Sequence, residues 1–244
     1  HNRLELAVGA LGGDAAIARA LQQARSQHEP FAAVVDATHP FALQISPALV
    51  RACMAEQVPL LRLQRELLSP AGALVLMGLG DLARVNLAGV PLLLALGGRQ
   101  LAAAMACSAG ALHHARVLPA PGALQLALAA GLLPERIACL RPSQDFAVEA
   151  ALVRHWEIAA IVCRQSGGLT EAGWHQVSQR TGARLLLLQR PGPVPAADAA
   201  PLAALPVAAL LAKLDSLLSA DGRVCARPHG SRSAAVANAD DRGQ

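Results

Sequence analysis

Two short stretches of this sequence place polar side chains where an apolar strand ends. In the first, a predicted strand at 32–36 ends in Asp36 and is followed by Thr38, His39 and Phe41. Asp36, Thr38 and His39 offer a carboxylate, a hydroxyl and an imidazole, and histidine can change charge near neutral pH. Ligands of open α/β sheets bind beyond the carboxyl ends of the strands. We therefore predict a ligand site here, with His39 as a candidate proton donor; the alternative is an ordinary βα turn.

The second stretch, RQSGGLTE at 164–171, follows a predicted strand at 159–163. Gly167 and Gly168 allow a ligand to approach the backbone, Arg164 supplies a cation, and Ser166 and Thr170 supply hydroxyls. This pattern predicts a phosphate or carboxylate cradle, although it lacks the lysine and the spacing of a P-loop. The alternative is that the threonine and the following glutamate only begin a helix.

Three further features bear on ligand chemistry. Gly97 and Gly98, followed by Arg99, lie between a predicted strand and a helix, where backbone amides and a guanidinium favour an anion. Two glycines are also common in turns without a ligand. Arg62, near the end of another strand, belongs either to a basic rim or to a surface pair. The adjacent pair at 113–114 (HH) would point to opposite faces of a strand, so we predict no metal site.

Composition excludes some classes of function. The 244 residues have a net charge of only +4 and 2% aromatic residues, which is a poor fit to nucleic-acid binding. Every basic residue except Lys213 is an arginine, which suits carboxylate or phosphate ligands, although a GC-rich genome has the same effect. Five widely spaced cysteines predict reduced thiols and a cytoplasmic location. We see no signal peptide and no apolar run long enough to span a membrane.

Short apolar runs alternate with helical patterns, which predicts an α/β fold built from βαβ units on a parallel sheet and divided into two halves. The predicted strands are 4–8, 32–36, 59–63, 92–96, 115–118, 136–140, 159–163 and 184–188. The predicted helices are 14–27, 45–57, 100–106, 122–130, 145–156, 170–181 and 207–218. We predict a first domain at 1–96, a second at 97–218 with a C-terminal helix, and a disordered tail at 219–244.

With these motifs in view, the sequence resembles the precorrin-6A reductases, an NAD(P)H-dependent family of corrin-ring biosynthesis. Five stretches carry the resemblance in the family's order: 35–42 (VDATHPFA), 59–65 (PLLRLQR), 97–101 (GGRQL), 164–171 (RQSGGLTE) and 187–191 (LLQRP). The sequence departs from the family at three places. The family's opening strand and Gly-Gly-Thr turn are not found before Leu4, so we expect the first βα unit to be missing. Arg164 stands where many members have lysine, and 143–146 (SQDF) replaces a shorter turn.

The resemblance implies two Rossmann-like parallel-sheet domains with a ligand cleft between them. It also implies hydride transfer from NADPH or NADH to the macrocycle of precorrin-6A or cobalt-precorrin-6A, giving precorrin-6B on the route to cobalamin. The expected substrate-binding residues are Asp36, Thr38, His39, Phe41, Arg62 and Arg99. The expected cofactor-binding residues are Gly97, Gly98, Arg164, Ser166, Gly167, Gly168 and Thr170. The partner would then be a tetrapyrrole, not a nucleic acid or a membrane. Two alternatives stay open: a non-catalytic corrinoid-binding protein and an unrelated NAD(P)-dependent oxidoreductase. The sequence leaves open the coenzyme, the presence of cobalt in the ring and the oligomeric state.

Overall fold

The computed structural model describes residues 12–70, 72–192 and 204–220, which form two compact units. Of the described residues, the first unit contains 12–65, 191–192 and 204–220, and the second unit contains those between Glu66 and Arg190. This division corrects the boundary predicted near residue 96. The strand Pro91–Ala95 pairs on both sides with later strands of the second unit, so a boundary directly after it would cut through one sheet. The C-terminal helix also belongs to the first unit, not to the second.

The first unit is built on a small parallel sheet. Its elements are α1 (Asp14–Ser26), β1 (Val34–Asp36), α2 (Ile45–Ala55), β2 (Leu60–Leu63), β9 (Ala204–Leu205) and α7 (Val207–Ala220). The strand order is β1-β2-β9, and Asp36 at the end of β1 lies in register with Arg62 of β2. Helices α1 and α2 bury apolar residues at helical spacing. This cluster contains Ile17, Leu21, Ala48, Leu49, Ala52 and Cys53.

The second unit has six parallel strands with helices between them. The strands are β3 (Leu74–Leu76), β4 (Pro91–Ala95), β5 (Leu112–Val117), β6 (Ile137–Cys139), β7 (Ala160–Arg164) and β8 (Arg184–Leu188). The helices are α3 (Leu101–Cys107), α4 (Pro121–Ala129), α5 (Ala147–His155) and α6 (Leu169–Thr181). Apolar residues of β4, β7 and β8 are almost completely buried, as expected for a sheet covered on both faces.

The strand order of the second unit, β3-β8-β7-β4-β5-β6, contains a topological switch point. From β4 the chain moves outward through β5 to β6, then crosses back and continues through β7 to β8 on the other side of β4. This is the classic doubly wound order, in which ligands bind between the carboxyl ends of the two strands at the reversal. Here those strands are β4 and β7, and the turn after each contains a glycine pair.

One face of this sheet packs against α5 and α6. Phe146, which begins α5 with a left-handed backbone (φ 55°), packs edge-on against Trp174 of α6, with ring centroids 5.7 Å apart. Gly173 makes room for this contact, because a Cβ at that position would overlap the Phe146 ring. The turn at 143–146 that departs from the family pattern is therefore tied to the core of this unit.

All seven predicted helices are present, with ends displaced by a few residues, and the predicted strands from 32–36 onward are present too. The sequence analysis missed β3 and β9, which have only three and two residues and so show no alternating pattern. The predicted strand 4–8 lies outside the described residues, as does all but the start of the predicted tail. Among the helices within residues 12–70, 72–192 and 204–220, none is long and apolar enough to cross a membrane.

Candidate cofactor and substrate site

The polar loop after β1 is organised around the carboxylate of Asp36. One carboxylate oxygen accepts hydrogen bonds from the Thr38 amide at 3.1 Å and the Thr38 hydroxyl at 2.6 Å. The other oxygen accepts the Ser46 hydroxyl at 2.6 Å and lies 3.9 Å from the Arg62 guanidinium nitrogen Nε. The Asp36 side chain is only 1% exposed, so its charge is satisfied inside the protein. Asp36 therefore fixes Thr38 and Arg62 in place.

His39 and Phe41 form a local pair in the same loop. The Phe41 amide donates to His39 Nδ1 at 3.2 Å, and the two ring centroids are 5.7 Å apart. Because Nδ1 accepts this bond, a neutral His39 carries its proton on Nε2. Both rings are half-buried. This arrangement gives His39 a defined orientation and a single donor atom.

The end of β2 brings two arginines to the same loop. Arg62 is partly exposed, with 23% of its side chain open, although it faces the buried Asp36. Arg65 donates to the carbonyl of Ala37 at 3.4 Å. Within the first unit, Asp36, Thr38 and Arg62 thus lie close together. The side chains of Arg62 on β2 and of Thr38 and His39 in the loop can each donate a hydrogen bond to a carboxylate.

The turn after β7 is held by a buried glutamate. The Gly167 amide donates to Glu171 Oε2 at 2.6 Å, and Gly167 has a φ of +67°, which favours glycine. A Cβ at Gly167 would also overlap the carbonyl of Glu66 and the guanidinium of Arg190. Ser166 is 6% exposed, and its hydroxyl makes no hydrogen bond within the part of the chain that the structure describes.

Glu171 itself is the third residue of α6 and its side chain is fully buried. The positive end of the helix dipole favours a carboxylate at this position. Its second oxygen, Oε1, has no hydrogen-bond partner among the described residues and lies 3.9 Å from His175 Nε2. Burial raises the pKa of the Cys163 thiol, and the negative charge of Glu171 raises it further. The Glu171 carboxylate therefore affects two groups: it accepts the Gly167 amide, and it disfavours ionisation of the Cys163 thiol.

The turn after β4 has a different construction. Gly97 has φ 85° and ψ 153°, a backbone conformation that is essentially restricted to glycine. A Cβ at Gly98 would lie 3.1 Å from the Ala123 carbonyl and 3.1 Å from the Leu126 Cβ, so the turn packs closely on α4. Gly98 and Arg99 begin the 3₁₀ turn Gly98–Gln100, and their amides consequently have no partner within it. The side chain of Arg99 is exposed.

Arg164 joins the two strand ends across the switch point. From the end of β7, its guanidinium donates to the carbonyl of Leu96 and, at 3.2 Å, to the Gln100 side chain. Both acceptors flank the glycine pair after β4. Arg164 therefore holds the β4 turn in position and adds a positive charge beside it.

The comparisons with known proteins bear directly on this geometry. Residues 1–210 match the family described as precorrin-6x reductase CbiJ/CobK. The chain belongs to this family. A cobalt-precorrin-6A reductase from Synechocystis sp. (strain ATCC 27184 / PCC 6803 / Kazusa) is 34% identical over 170 residues, which is 67% of this chain and 65% of that protein. The match thus spans just under two thirds of the length of the relative.

The fold is also that of a solved member of the family. A structure described as CobK precorrin-6A reductase superposes with a TM-score of 0.65 at 24% identity, covering 88% of this chain and 84% of that chain. This likeness confirms the predicted α/β architecture with parallel sheets. The predicted ligand cleft between the domains stays a prediction.

The structure regroups some of the predicted site residues. Arg99, expected among the substrate ligands, lies on the β4 turn with Gly97 and Gly98. Arg164, expected to bind a ligand anion, donates to the Leu96 carbonyl and the Gln100 side chain; its contact with a ligand stays a prediction. Gly168 and Thr170 lie at the start of α6, as the sequence suggested. Among residues 12–70, 72–192 and 204–220, no three His, Cys, Asp or Glu side chains are grouped to hold a metal ion.

Sequence reasoning missed two residues that hold the site together. Ser46 was not identified, since nothing in its neighbourhood marks a serine on α2 as a partner of Asp36. Glu171 was seen only as part of a helix start. The spacing between Gly168 and Glu171 is that of a capping box, in which a glutamate at the third helical position returns to a backbone amide before the helix. That signal predicts a bond to the amide of Gly168, the residue directly before the helix; in the structure Glu171 accepts from Gly167, one residue earlier.

Proposed function

We propose that this chain reduces precorrin-6A, or its cobalt-containing form, to the corresponding precorrin-6B with NADPH or NADH as the reductant, in cobalamin biosynthesis. Membership of the precorrin-6x reductase family supports the reaction class. The observation that carries the proposal is the switch point of the second unit, where two glycine turns flank the ends of β4 and β7. This is the part of a doubly wound sheet that binds dinucleotides.

The residues of the β4 turn fit the diphosphate of a nicotinamide dinucleotide. The amides of Gly98 and Arg99 begin a 3₁₀ turn, and the Arg99 side chain is exposed and cationic. The glycines let a ligand approach the backbone closely, which amide donors to a phosphate require. After β7, the Ser166 hydroxyl is available to a ribose or carboxamide group.

The residues of the first unit fit a substrate with carboxylate side chains. Arg62, held by Asp36, supplies a guanidinium that can pair with a carboxylate in a planar, two-bonded geometry. Thr38 and His39 lie in the loop that follows the neighbouring strand. A tetrapyrrole edged with acetate and propionate groups matches this set of donors.

Reduction of a double bond in the ring consumes one hydride and one proton. A reduced nicotinamide supplies the hydride when it is bound. We assign the proton to His39, whose Nδ1 accepts the Phe41 amide so that Nε2 carries the transferable proton. Arg62 and Thr38 orient the substrate, and orientation of donor and acceptor supplies most of the rate enhancement in such a reaction.

The test is to mix the purified chain with NADPH or NADH and with precorrin-6A or cobalt-precorrin-6A, and to follow nicotinamide absorbance and product mass. We expect oxidation of the coenzyme only with a tetrapyrrole present, and a product heavier by a hydride and a proton. Binding of the tetrapyrrole without oxidation of either coenzyme would favour the corrinoid-binding alternative. Turnover of simple ketones without a response to the tetrapyrrole would favour an unrelated oxidoreductase.

The proposal includes a cytoplasmic location. Cys53, Cys107, Cys139 and Cys163 are free thiols. Free thiols are expected in a reducing compartment.

A further inference from the structure

We propose that Ser46 is a positioning residue that keeps Arg62 available to the substrate: its hydroxyl occupies the Asp36 oxygen that the Arg62 guanidinium would otherwise take. This inference rests on the proposed function and deepens it, because it concerns how the first unit presents a cation to a substrate carboxylate. Ser46 acts through Asp36 and Arg62 and does not itself bind the substrate.

The first support is the way in which the two oxygens of Asp36 are occupied. Oδ1 accepts two hydrogen bonds from Thr38, one from the amide and one from the hydroxyl. Oδ2 accepts the Ser46 hydroxyl at 2.6 Å, and the same oxygen lies 3.9 Å from Arg62 Nε. A guanidinium that is hydrogen-bonded to a carboxylate lies about 2.7–2.9 Å from it, so Asp36 attracts Arg62 without bonding it.

The second support is that Arg62 keeps its hydrogen-bonding capacity. Its side chain is 23% exposed and makes no hydrogen bond with any described residue. The N–H groups of a guanidinium form a planar fork that pairs with a carboxylate through two bonds. An arginine already bonded to a protein carboxylate has fewer donors left for a substrate, and part of its charge is neutralised. The gap between Asp36 and Arg62 therefore favours substrate binding.

Helix α2 holds the Ser46 hydroxyl against Asp36. Ser46 is the second residue of this helix and is only 4% exposed. Ala48 and Leu49, in the same part of α2, are buried in the apolar cluster shared with α1, which fixes the start of the helix. The positive end of the helix dipole also lies beside Asp36 and favours its charged form. The packing of α1 and α2 thus determines which Asp36 oxygen is occupied.

Removal of the Ser46 hydroxyl would leave Asp36 Oδ2 without its donor. The Asp36 side chain is 1% exposed, so solvent has little access to this oxygen. A buried acceptor without a partner is costly, and the Arg62 guanidinium is a charged donor beside it. A movement of about 1 Å would bring Arg62 Nε to bonding distance. We therefore expect the loss of Ser46 to draw Arg62 onto Asp36 and away from the substrate.

The experiment compares Ser46→Ala with Ser108→Ala in the whole chain, with uroporphyrin III as the probe in fluorescence titration. Uroporphyrin III is a tetrapyrrole that carries acetate and propionate groups. Ser108 is a matched control in the second unit: it is 3% exposed, and its hydroxyl donates to the Ala104 carbonyl. We expect Ser46→Ala to bind the probe about tenfold more weakly, because a charged hydrogen bond to the ligand is lost. Ser108→Ala should bind it as the unmodified chain does.

Three further measurements separate positioning from support of the fold. In the Arg62→Ala background, Ser46→Ala should cause no further loss of probe affinity, because its effect passes through Arg62. In a crystal structure of Ser46→Ala, the gap of 3.9 Å between Asp36 and Arg62 should close to a hydrogen bond. In turnover, Ser46→Ala should raise the KM for the tetrapyrrole more than it lowers kcat, and should leave the KM for NADPH unchanged.

Equal probe affinity of Ser46→Ala and the unmodified chain would overturn the inference, as would an equal loss in the Arg62→Ala background or an unchanged gap between Asp36 and Arg62. If Ser46→Ala does not fold, Ser46→Cys provides the test, since a thiol is a weak donor. It should still weaken probe binding, and unchanged affinity would contradict the inference.

The probe also separates this inference from the proposed function. If the unmodified chain binds uroporphyrin III but oxidises neither coenzyme with a precorrin, the proposed reaction is refuted, whereas the comparison of Ser46→Ala with Ser108→Ala still decides the role of Ser46. If the unmodified chain binds no tetrapyrrole, the inference is overturned together with the proposed function.

Discussion

The turns after β4 and β7 are similar in sequence, but different charged side chains hold them in position. Each is a glycine pair between a parallel strand and a helix, and the two lie on adjacent strands at the switch point. The β4 turn is braced by the cation Arg164, and the amides of Gly98 and Arg99 make no hydrogen bond within the 3₁₀ turn that they begin. The β7 turn is braced by the anion Glu171, which takes the Gly167 amide. Similar glycine pairs are therefore held in position by different charged side chains at the two turns.

The largest effect should come from Gly167→Ala, which breaks the β7 turn itself. Alanine is strained at a φ of +67°, and its Cβ would overlap the Glu66 carbonyl. We expect a loss of more than about 2 kcal/mol of unfolding free energy. Chemical denaturation measures this loss. Gly168→Ala is the control, because a φ of −137° is accessible to any residue, and a comparable loss there would mean that the strain does not lie at Gly167.

Next in size is Arg164→Ala, which removes the brace of the β4 turn. The Leu96 carbonyl and the Gln100 side chain lose a charged donor, worth roughly 1.5–3 kcal/mol. We expect NADPH to bind about tenfold or more weakly, as measured by fluorescence titration. Arg164→Lys should recover part of the affinity. An unchanged dissociation constant for Arg164→Ala would show that the β4 turn does not depend on its cation.

A smaller effect is expected from Arg99→Ala. This side chain is exposed and makes no hydrogen bond or ion pair with any described residue. The NADPH affinity should fall several-fold, and the fall should shrink as salt is raised, since salt screens exposed charges. The stability should stay within about 0.5 kcal/mol of the unmodified chain. A larger loss at high salt than at low salt would argue against a direct phosphate contact.

The smallest effect should follow Ser166→Ala at the β7 turn. Loss of one neutral hydrogen bond costs about 0.5–1.5 kcal/mol; we expect the low end of this range here, so NADPH affinity should fall by about twofold. Pyrophosphate binding should not change, because the phosphates bind at the other turn. If pyrophosphate binding also weakened, the diphosphate would lie beside Ser166, which would contradict its proposed position at the β4 turn.

The elements around the site could be predicted from the sequence because local patterns determine them. Buried apolar runs end at Asp36, Leu96 and Arg164, and glycines interrupt the chain directly after two of these runs. These signals depend only on neighbouring residues. They predicted the strands, the helices and the position of each loop.

The partners of the charged residues could not be predicted, because the fold brings them together from distant parts of the chain. Arg164 was expected to bind a ligand, yet it reaches the Leu96 carbonyl on the neighbouring strand. Asp36 was expected to bind a ligand, yet Ser46 and Arg62 occupy it. The division into units was missed for a similar reason, since the chain returns to pair β9 with β2 after completing the second sheet.

A crystal structure of the chain with NADPH bound tests the unequal roles of the two turns most directly. The account predicts that the diphosphate oxygens lie within hydrogen-bond distance of the Gly98 and Arg99 amides, with the nicotinamide riboside beside Ser166. The Gly167 amide should still donate to Glu171. A diphosphate bound to the amides of Gly167 or Gly168, with Glu171 displaced from the turn, would contradict the account.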